Sequence, residues 1–473
     1  MTFQTIPINI TGPTYKDRSR PLSTQETRNM YHELVDSGKE KYVLKSFPGQ
    51  AKLSSVSPGK DRGQHSMSGV AYRVVGNTLY KVSNTFVHTS LGTIPGVDRC
   101  IFANDGVNLF IVSDKVITKY SVSTGLTSTV TDPDIVGAKS VAFINNQFAY
   151  TFDSLTVFSD VGDGTVATSL NAVGAESNPD ILVRDYTFDQ VLYRFGLKSC
   201  EGWWNSGVGI PPFVRIEGQI INVGLAAIHS VNNSREYIYW LGSDKQVYRA
   251  RGGQEEPIST AAIAGEIQGF STISDAYGEV FTIDDKTIYV LTFPAENKTY
   301  ALIENLGVNG WIELSEGISS GRWNAGSILD EYNKILIGDY QTGDLNLLAI
   351  NSYDQAGTTW RRRRVIGSVN GDALGQKGKR VKMSRMEFLL ETGVGKITGQ
   401  GDNPRIMLEA SYDGGRTWNT GTWLRIGRLG EFNIRAEWFR LHSFYDMVVR
   451  LTTSDPIALN IYSATIDLKL AGR

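Results

Sequence analysis

The sequence predicts an all-β protein: a β-propeller of about six or seven blades, with an N-terminal extended arm and a C-terminal β-sandwich-like domain. Three observations point there. Glycine (49) far outnumbers proline (14) and aromatic residues reach 10%, a profile of many short strands joined by tight turns. A unit of strand, turn and strand recurs roughly every 35 to 55 residues, which brackets the period of propeller blades. And 473 residues are too many for one compact core without repetition or division into domains.

Residues 1–45 show no sustained period and are dotted with polar residues and turn formers, so they read as an extended arm. The hairpins come next. "YRVVGNTLYKV" turns at Gly76-Asn77, "NLFIVSDKVITKYSV" at Ser113-Asp114 and "VAFINNQFAYTF" at Asn145-Asn146. "YIYWLGSDKQVYRA" turns near Gly242-Ser243, "EVFTIDDKTIYVLTF" at Asp284-Asp285 and "KILIGDYQTGDLNLLAI" around Gln341 to Gly343. Gly, Asn and Asp stand where hairpin turns need positive φ or a side chain that bonds its own backbone. Residues 46–355 therefore read as the propeller. One interruption, "STAAIAGEIQGF" (Ser259 to Phe270), reads as a short helix capped by Ser259 or Thr260 and linking two blades.

From Asn351 to Arg385 the character turns glycine-rich and basic, which places a crossover or linker at 356–385. Beyond it, "RMEFLLETG", "PRIMLEASYDGGRTW", "WFRLHSF", "DMVVRLTTS" and "LNIYSATIDLKL" alternate with period two, predicting a separate β-sandwich-like domain over 386–473.

The net charge of -2 conceals an asymmetry: from Trp360 onward 19 Lys+Arg stand against 11 Asp+Glu, +8, leaving -10 on the rest. Cys100 and Cys200 lie far apart with no CxxC spacing, so neither a disulfide framework nor a zinc cluster is expected. The five histidines never approach ligand spacing, and no metal or other cofactor is expected. "MTFQTIPINITGPTYKDRSR" has no apolar core of signal-peptide length and no apolar run of about 18 residues occurs, so a soluble, non-exported chain is expected.

Several motifs hint at chemistry. "SYDGGRTWN" matches the Asp-box of sialidases through Ser411, Asp413, Gly415, Thr417 and Trp418. Each residue also has a scaffold role: Asp413 accepts backbone N–H groups across the turn, the glycines supply permissive φ, and Trp418 packs under the hairpin. A sialidase needs in addition an FRIP-type arginine signature, a tyrosine–carboxylate pair and usually several boxes; here one box stands outside the propeller span and "FRLH" lacks the proline, so no catalytic residue is expected. "GISSG" (Gly317 to Gly321) matches GxSxG, but the residues after it read as strand and turn where a nucleophile elbow needs a helix. "GDALGQKGKR" lacks the GxxxxGK[ST] of a phosphate loop. Trp203-Trp204 reads as blade packing or an inter-subunit contact ahead of a sugar platform. The run Arg361, Arg362, Arg363 and Arg364 opens a segment to Arg385 with nine basic residues against one acid, Asp372. An interface arm pairing with carboxylates of a neighbouring subunit or adaptor, or a solvated hinge, is favoured over a DNA strip, because a DNA strip more often interleaves aromatics in a strongly basic chain.

Taken in order, "SFPGQ" (Ser46 to Gln50), "YRVVGNTLYKV", the propeller body, the basic crossover, "ETGVGKITG" (Glu391 to Gly399), Leu408 to Leu451 and the closing "SDPIALNIYSATIDL" (Ser454 to Leu468) resemble the tail hub or nozzle proteins of short-tailed bacteriophages, the packaged DNA stabilisation proteins. The C-terminal third is the specific part. The resemblance implies a structural virion protein without enzyme activity, a homo-oligomeric ring of about six subunits. The ring would join the portal-bound adaptor (head-to-tail connector), carry a tail needle or plug and support tailspikes or fibres. It would retain packaged DNA, pass double-stranded DNA during genome ejection, and be assembled in the host cytoplasm. The alternative reading is a virion-associated propeller that binds or hydrolyses glycans.

Overall fold

The computed structural model describes residues 2–20, 22–35, 40–56, 59–174, 180–304 and 310–471. Six four-stranded sheets stand free, and a seventh four-stranded unit, Tyr277–Ile283 to Gly310–Glu313, runs on into a larger sheet. In chain order the blades begin with the inner strands Asp61–Met67, Ile101–Asn104, Ser140–Ile144, Leu182–Phe188, Asn232–Asn233, Tyr277–Ile283 and Ala325–Glu331, and are called blades 1 to 7. Blade 7 takes its outer strand from the other end of the propeller: Gly49–Ser55 pairs antiparallel with Asp344–Ala349 before the chain enters blade 1. This interlock closes the ring.

Sheets with two apolar faces cannot cover themselves, so each blade buries its faces against its neighbours. The cores obey that rule. One apolar cluster fills each gap between consecutive blades, from Tyr72, Leu109 and Tyr120 between blades 1 and 2 round to Ala71, Val82, Leu336 and Leu345 between blades 7 and 1. The large side chains sit here: Trp203, Trp240, Trp311 and Trp323 are all buried.

The hairpin turns fall where their residues allow. Asn145 and Asn146 both take positive φ (47° and 63°), the pair a two-residue type I′ connection needs. The turn expected at Ser113-Asp114 lies one residue later, at Asp114-Lys115, because Ser113 stays in the strand Asn108–Ser113. The helix is Ala261–Gln268, with the Thr260 side chain accepting from Ile263 N, and it links blades 5 and 6.

The C-terminal domain is a β-sandwich. One sheet runs Ala436–Phe439, Val381–Leu390, Ile461–Leu470, Tyr42–Ser46 and Met30–Leu34; the other runs Thr422–Arg425, Arg405–Ser411, Asp446–Thr453, Arg362–Val365 and Thr24–Arg28. Their facing sides share one core around Met386, Phe388, Leu408, Trp438, Val449 and Ile466. The stretch expected as an extended arm is thus built into both sandwich sheets, Gln4–Ile8 also pairing along Ile461–Leu470. The stretch expected as a linker supplies a central strand, Arg362–Val365. Local sequence hid both, because these strands are polar and completed by partners hundreds of residues away.

Candidate functional site

The polar centre of the molecule is the joint where propeller, N-terminal segment and sandwich meet. Thr24–Arg28 touches blade 6 through a single parallel pairing, Arg28 with Glu313, and lies antiparallel to Arg362–Val365 on its other side. Glu26, Arg28 and Glu313 are all buried. Arg28 Nη2 donates to Glu313 Oε2 at 2.6 Å and its Nε lies 3.0 Å from Glu26 Oε1; Lys16 bridges the same two carboxylates, 3.1 Å from Glu26. Burial alone would raise the Glu313 pKa, but Lys16, Arg28 and Lys298 hold it down to about 2. Such a cluster is costly to break, because removing one partner strands the others in low dielectric.

Strand pleating divides the arginine run between two faces. Arg364 is enclosed and donates to Ile10 O (2.8 Å), Gly12 O (3.1 Å), Thr27 Oγ1 (2.7 Å) and Gln25 Oε1 (2.9 Å). Gly12 is needed at that approach: its φ is +148°, and a Cβ there would stand 3.2 Å from Arg364 Nη2. Arg362, equally enclosed, donates to Ser46 Oγ (3.1 Å), Tyr353 O (3.1 Å), Ile457 O and Asp455 O. Burial pulls both guanidinium pKa values down, to about 10 and about 9 for Arg362 and Arg364, leaving both charged at neutral pH. The expectation of an interface arm is therefore corrected for these two: their forks are used on carbonyls of their own chain. Arg363 lies 3.7 Å from Glu26, and Arg361 is half-buried.

The Asp-box is a turn of the sandwich. The Asp413 carboxylate accepts from Thr417 Oγ1 (2.6 Å), Ser411 Oγ (2.7 Å), Arg416 N (2.9 Å) and Thr417 N (2.9 Å), which hold its pKa well below the carboxylate range, the Thr417 hydroxyl foremost. A carboxylate so saturated has no lone pair or proton to offer chemistry. Gly414 and Gly415 take φ of 72° and 83°, and Gly415 abuts Thr24 of the N-terminal segment. Trp418 departs from expectation: it is half-buried and lies over the Arg450 guanidinium at 4.1 Å, while Arg450 pairs bidentately with Glu409 at 2.6 Å for both contacts. Gly415, Trp418 and Arg450 form one wall of a cleft of about 880 Å³, whose other walls include Lys16, Arg18 and Arg20 and the helix Ala261–Gln268. Its lining mixes five cations with the carboxylates of Asp17, Glu26 and Glu266, and Lys16, Lys298 and Arg450 are already paired with carboxylates.

The remaining motifs resolve into structure. In "GISSG" the Ser319 hydroxyl donates to Glu316 O and the next element is the strand Ala325–Glu331. Trp203 is buried, donating to Glu201 Oε2 at 3.0 Å with Arg194 over its ring, whereas Trp204 is half-exposed at the blade edge. Cys100 and Cys200 are free and buried. Among the described residues no group of three metal-binding side chains occurs, and no helix is long and apolar enough to cross a membrane.

Sequence reasoning missed a set of buried arginines that tie blade to blade. Arg62 donates to Asp98 O (2.7 Å), Gly76 O (2.9 Å) and Pro95 O (2.9 Å), tying blade 1 to the approach to blade 2. Arg73 Nε meets Asp61 at 2.6 Å and its fork reaches Gly343 O and Asp344 O of blade 7. Arg194 sits 3.4 Å from Asp185 and donates to Val173 O and Gly174 O of blade 3. The available signal was a lone arginine inside an otherwise apolar strand, "AYRVV" and "LYRFG".

The architecture is a propeller in tandem with a sandwich, joined by a buried charge network. Residues 4–353 match the family described as bacteriophage P22 Gp10, β-propeller, and residues 368–469 match that described as bacteriophage P22 Gp10, β-sandwich. The chain belongs to the Gp10 family, and it is a structural component of a phage tail.

No curated protein matches the chain. Among solved structures it is similar to the extracellular domain of the putative one component system BT4673 from B. thetaiotaomicron (10% identity, TM-score 0.43, covering 74% of this chain and 45% of that one). It is also similar to PorZ of the type-IX secretion system of Porphyromonas gingivalis (12%, 0.38, 79% and 46%) and to a chain of the Mitotic Checkpoint Complex (10%, 0.42, 67% and 94%). The chain spans under half the length of the first two.

Proposed function

We propose that the chain is the hub of a short phage tail: a ring of identical subunits, about six, that extends the channel of the portal-bound adaptor, retains packaged DNA and conducts it during ejection. In this reading it assembles in the host cytoplasm, carries a needle or plug, and anchors tailspikes or fibres. The observation that supports it best is the tandem match of both domains to one tail-protein family. The -10 charge outside the C-terminal region also suits a conduit, since each phosphate neutralised by a wall would add affinity and slow transit. Within the arginine run, Arg361 is the member whose side chain is best placed to contact a subunit or adaptor, Arg363 being drawn toward Glu26 of the joint.

The test is to fill capsids with and without the purified protein and to image the protein mixed with adaptor-bearing particles. A closed ring at the adaptor and retained DNA are expected. Particles that hold their DNA equally well without the protein would overturn the reading.

A further inference from the structure

The propeller axis carries a guanidinium that the fold leaves only partly answered. At its centre lies a cavity of about 300 Å³, walled by inner strands of several blades, which meets a mouth of about 440 Å³; Arg99 and His229 line both. Arg99 is committed: its Nη2 donates to Glu279 Oε1 at 2.7 Å, its other end donates to Gly326 O, and its plane lies 4.0 Å over the Tyr277 ring. Arg184 is not. It gives one hydrogen bond, Nη1 to Ile228 O at 2.8 Å, and lies 5.2 Å over the Tyr186 ring. Its Nε is buried without a hydrogen-bond partner, and among the described residues no carboxylate forms an ion pair with it, Glu279 reaching it only across the shared cavity. His229 stands at the same place, its imidazole held neutral by burial and by the two guanidinium groups, with a ring N–H to donate.

We propose that this axial cavity binds a small oxyanion of the sulfate or phosphate class, held by Arg184 and His229 with Arg99 behind them. A guanidinium with a buried, unanswered Nε–H and no ion-paired carboxylate is unfavourable, and an oxyanion accepting two parallel N–H groups from the fork removes the deficit. The cavity is far too small for a nucleic-acid duplex, so the ligand is a free ion. Glu279 sets the pH response. Facing it are Arg99, Arg184, His65, His229, Tyr186, Asp61 and, at the rim, Asp330. Burial, opposed by Arg99, pushes the Glu279 carboxyl up to about 7, whereas His65 is pulled to about 4 and stays neutral. Below pH 7 the carboxyl is neutral and the Arg99 charge beside the anion is no longer offset; above it the carboxylate offsets Arg99 and repels the anion.

Calorimetric titration of the full chain with sodium sulfate, against sodium chloride at equal ionic strength, tests this; sulfate itself does not titrate in the range used. One saturable site per chain is expected, tighter at pH 6 than at pH 8. Arg184→Gln should weaken it at least about tenfold, the loss of one charge-assisted fork, while the exposed Arg235→Gln leaves it unchanged. Arg184→Gln should remain folded in chloride with a melting temperature close to the wild type, removal of the unanswered charge offsetting the lost bond to Ile228 O and the lost contact with Tyr186. Arg184→Lys, which keeps the charge without the fork, should weaken sulfate binding likewise. Absence of saturable sulfate binding by the wild type at both pH values, or binding that Arg184→Gln leaves intact, overturns the proposal.

Discussion

The gaps between blades and the joint between domains are both closed interiors, yet the balance of forces differs: apolar packing with a few bridging arginines between blades, a dense buried charge network at the joint. Between blades 5 and 6 the contact is Tyr239, Tyr289, Leu291, Phe293 and Trp311, an apolar core built by strands close together in sequence. At the joint the contact is Glu26, Arg28, Glu313, Arg362 and Arg364, brought together from about 340 residues apart as Gln25 and Arg364 are. Apolar packing is non-directional and tolerates substitution by similar volume, whereas a buried cation must have every donor answered. Away from Arg62, Arg73 and Arg194 the blade gaps are therefore the part that sequence can drift through; the joint is the part that fixes how the two domains sit.

Breaking the joint should have the largest effect. Replacing Arg362 and Arg364 together by Ser leaves the carbonyls of Ile10, Gly12, Tyr353 and Ile457 without their donors; at about 1 to 3 kcal/mol per stranded buried group, a loss beyond about 5 kcal/mol is expected in denaturant titration. Lys at both positions should not rescue it, because an ammonium cannot span the fork. A loss near 1 kcal/mol would erase the distinction drawn between joint and blade.

Trp311→Ala removes a fully buried ring whose Nε1 donates to Ile258 O, and about 3 to 5 kcal/mol is expected. The sharper reading is which part melts. Protection of backbone amides should fall first in blades 5 and 6 for this variant, and first in Thr24–Arg28 for the arginine pair.

Acid separates the two regions without mutation. Glu313 is held below its ordinary value of 4.5, at about 2, so its contribution is present above pH 4.5 and is lost as pH falls toward about 2. The melting temperature of the joint should drop through that window, and Glu313→Gln should flatten the drop. An identical acid profile for the variant would show that the network does not govern the joint.

The smallest effect is expected at Trp418→Ala, about 0.5 to 1 kcal/mol, since the ring is half-exposed and lies over a guanidinium already paired with Glu409. Several kcal/mol would mean that the Asp-box turn locks the joint through Thr24.

Turn chemistry made the blades legible. Asn145-Asn146, Gly76-Asn77 and Asp284-Asp285 each sit between alternating apolar strands, and each is a hairpin in the structure. Asp189-Gln190 and Tyr332-Asn333 also take positive φ at both residues, but Gln and Tyr carry little turn signal, so those hairpins are silent in the sequence. "WRRRR" is visible as a feature yet reads as a surface. Arginine is mostly an exposed residue, and nothing nearby in sequence advertises the carbonyls of residues 10 to 12 or 455 to 457 that enclose it.

By itself the sequence determined the all-β class, the repeated hairpins, the capped helix after Ser259 and the scaffold nature of "SYDGGRTWN". All of these are set by interactions within about a dozen residues: pleat alternation, φ preference, and a side chain bonding its own turn. The tertiary structure alone decided that Gly49–Ser55 closes the ring on blade 7, that Gln4–Ile8, Thr24–Arg28 and Met30–Leu34 enter the sandwich sheets, and that Arg184 faces the axis with its Nε unanswered. Those outcomes depend on which distant strand edge or carbonyl is free when the chain closes, and a polar strand carries the same local pattern whether it ends in solvent or in the middle of a sheet.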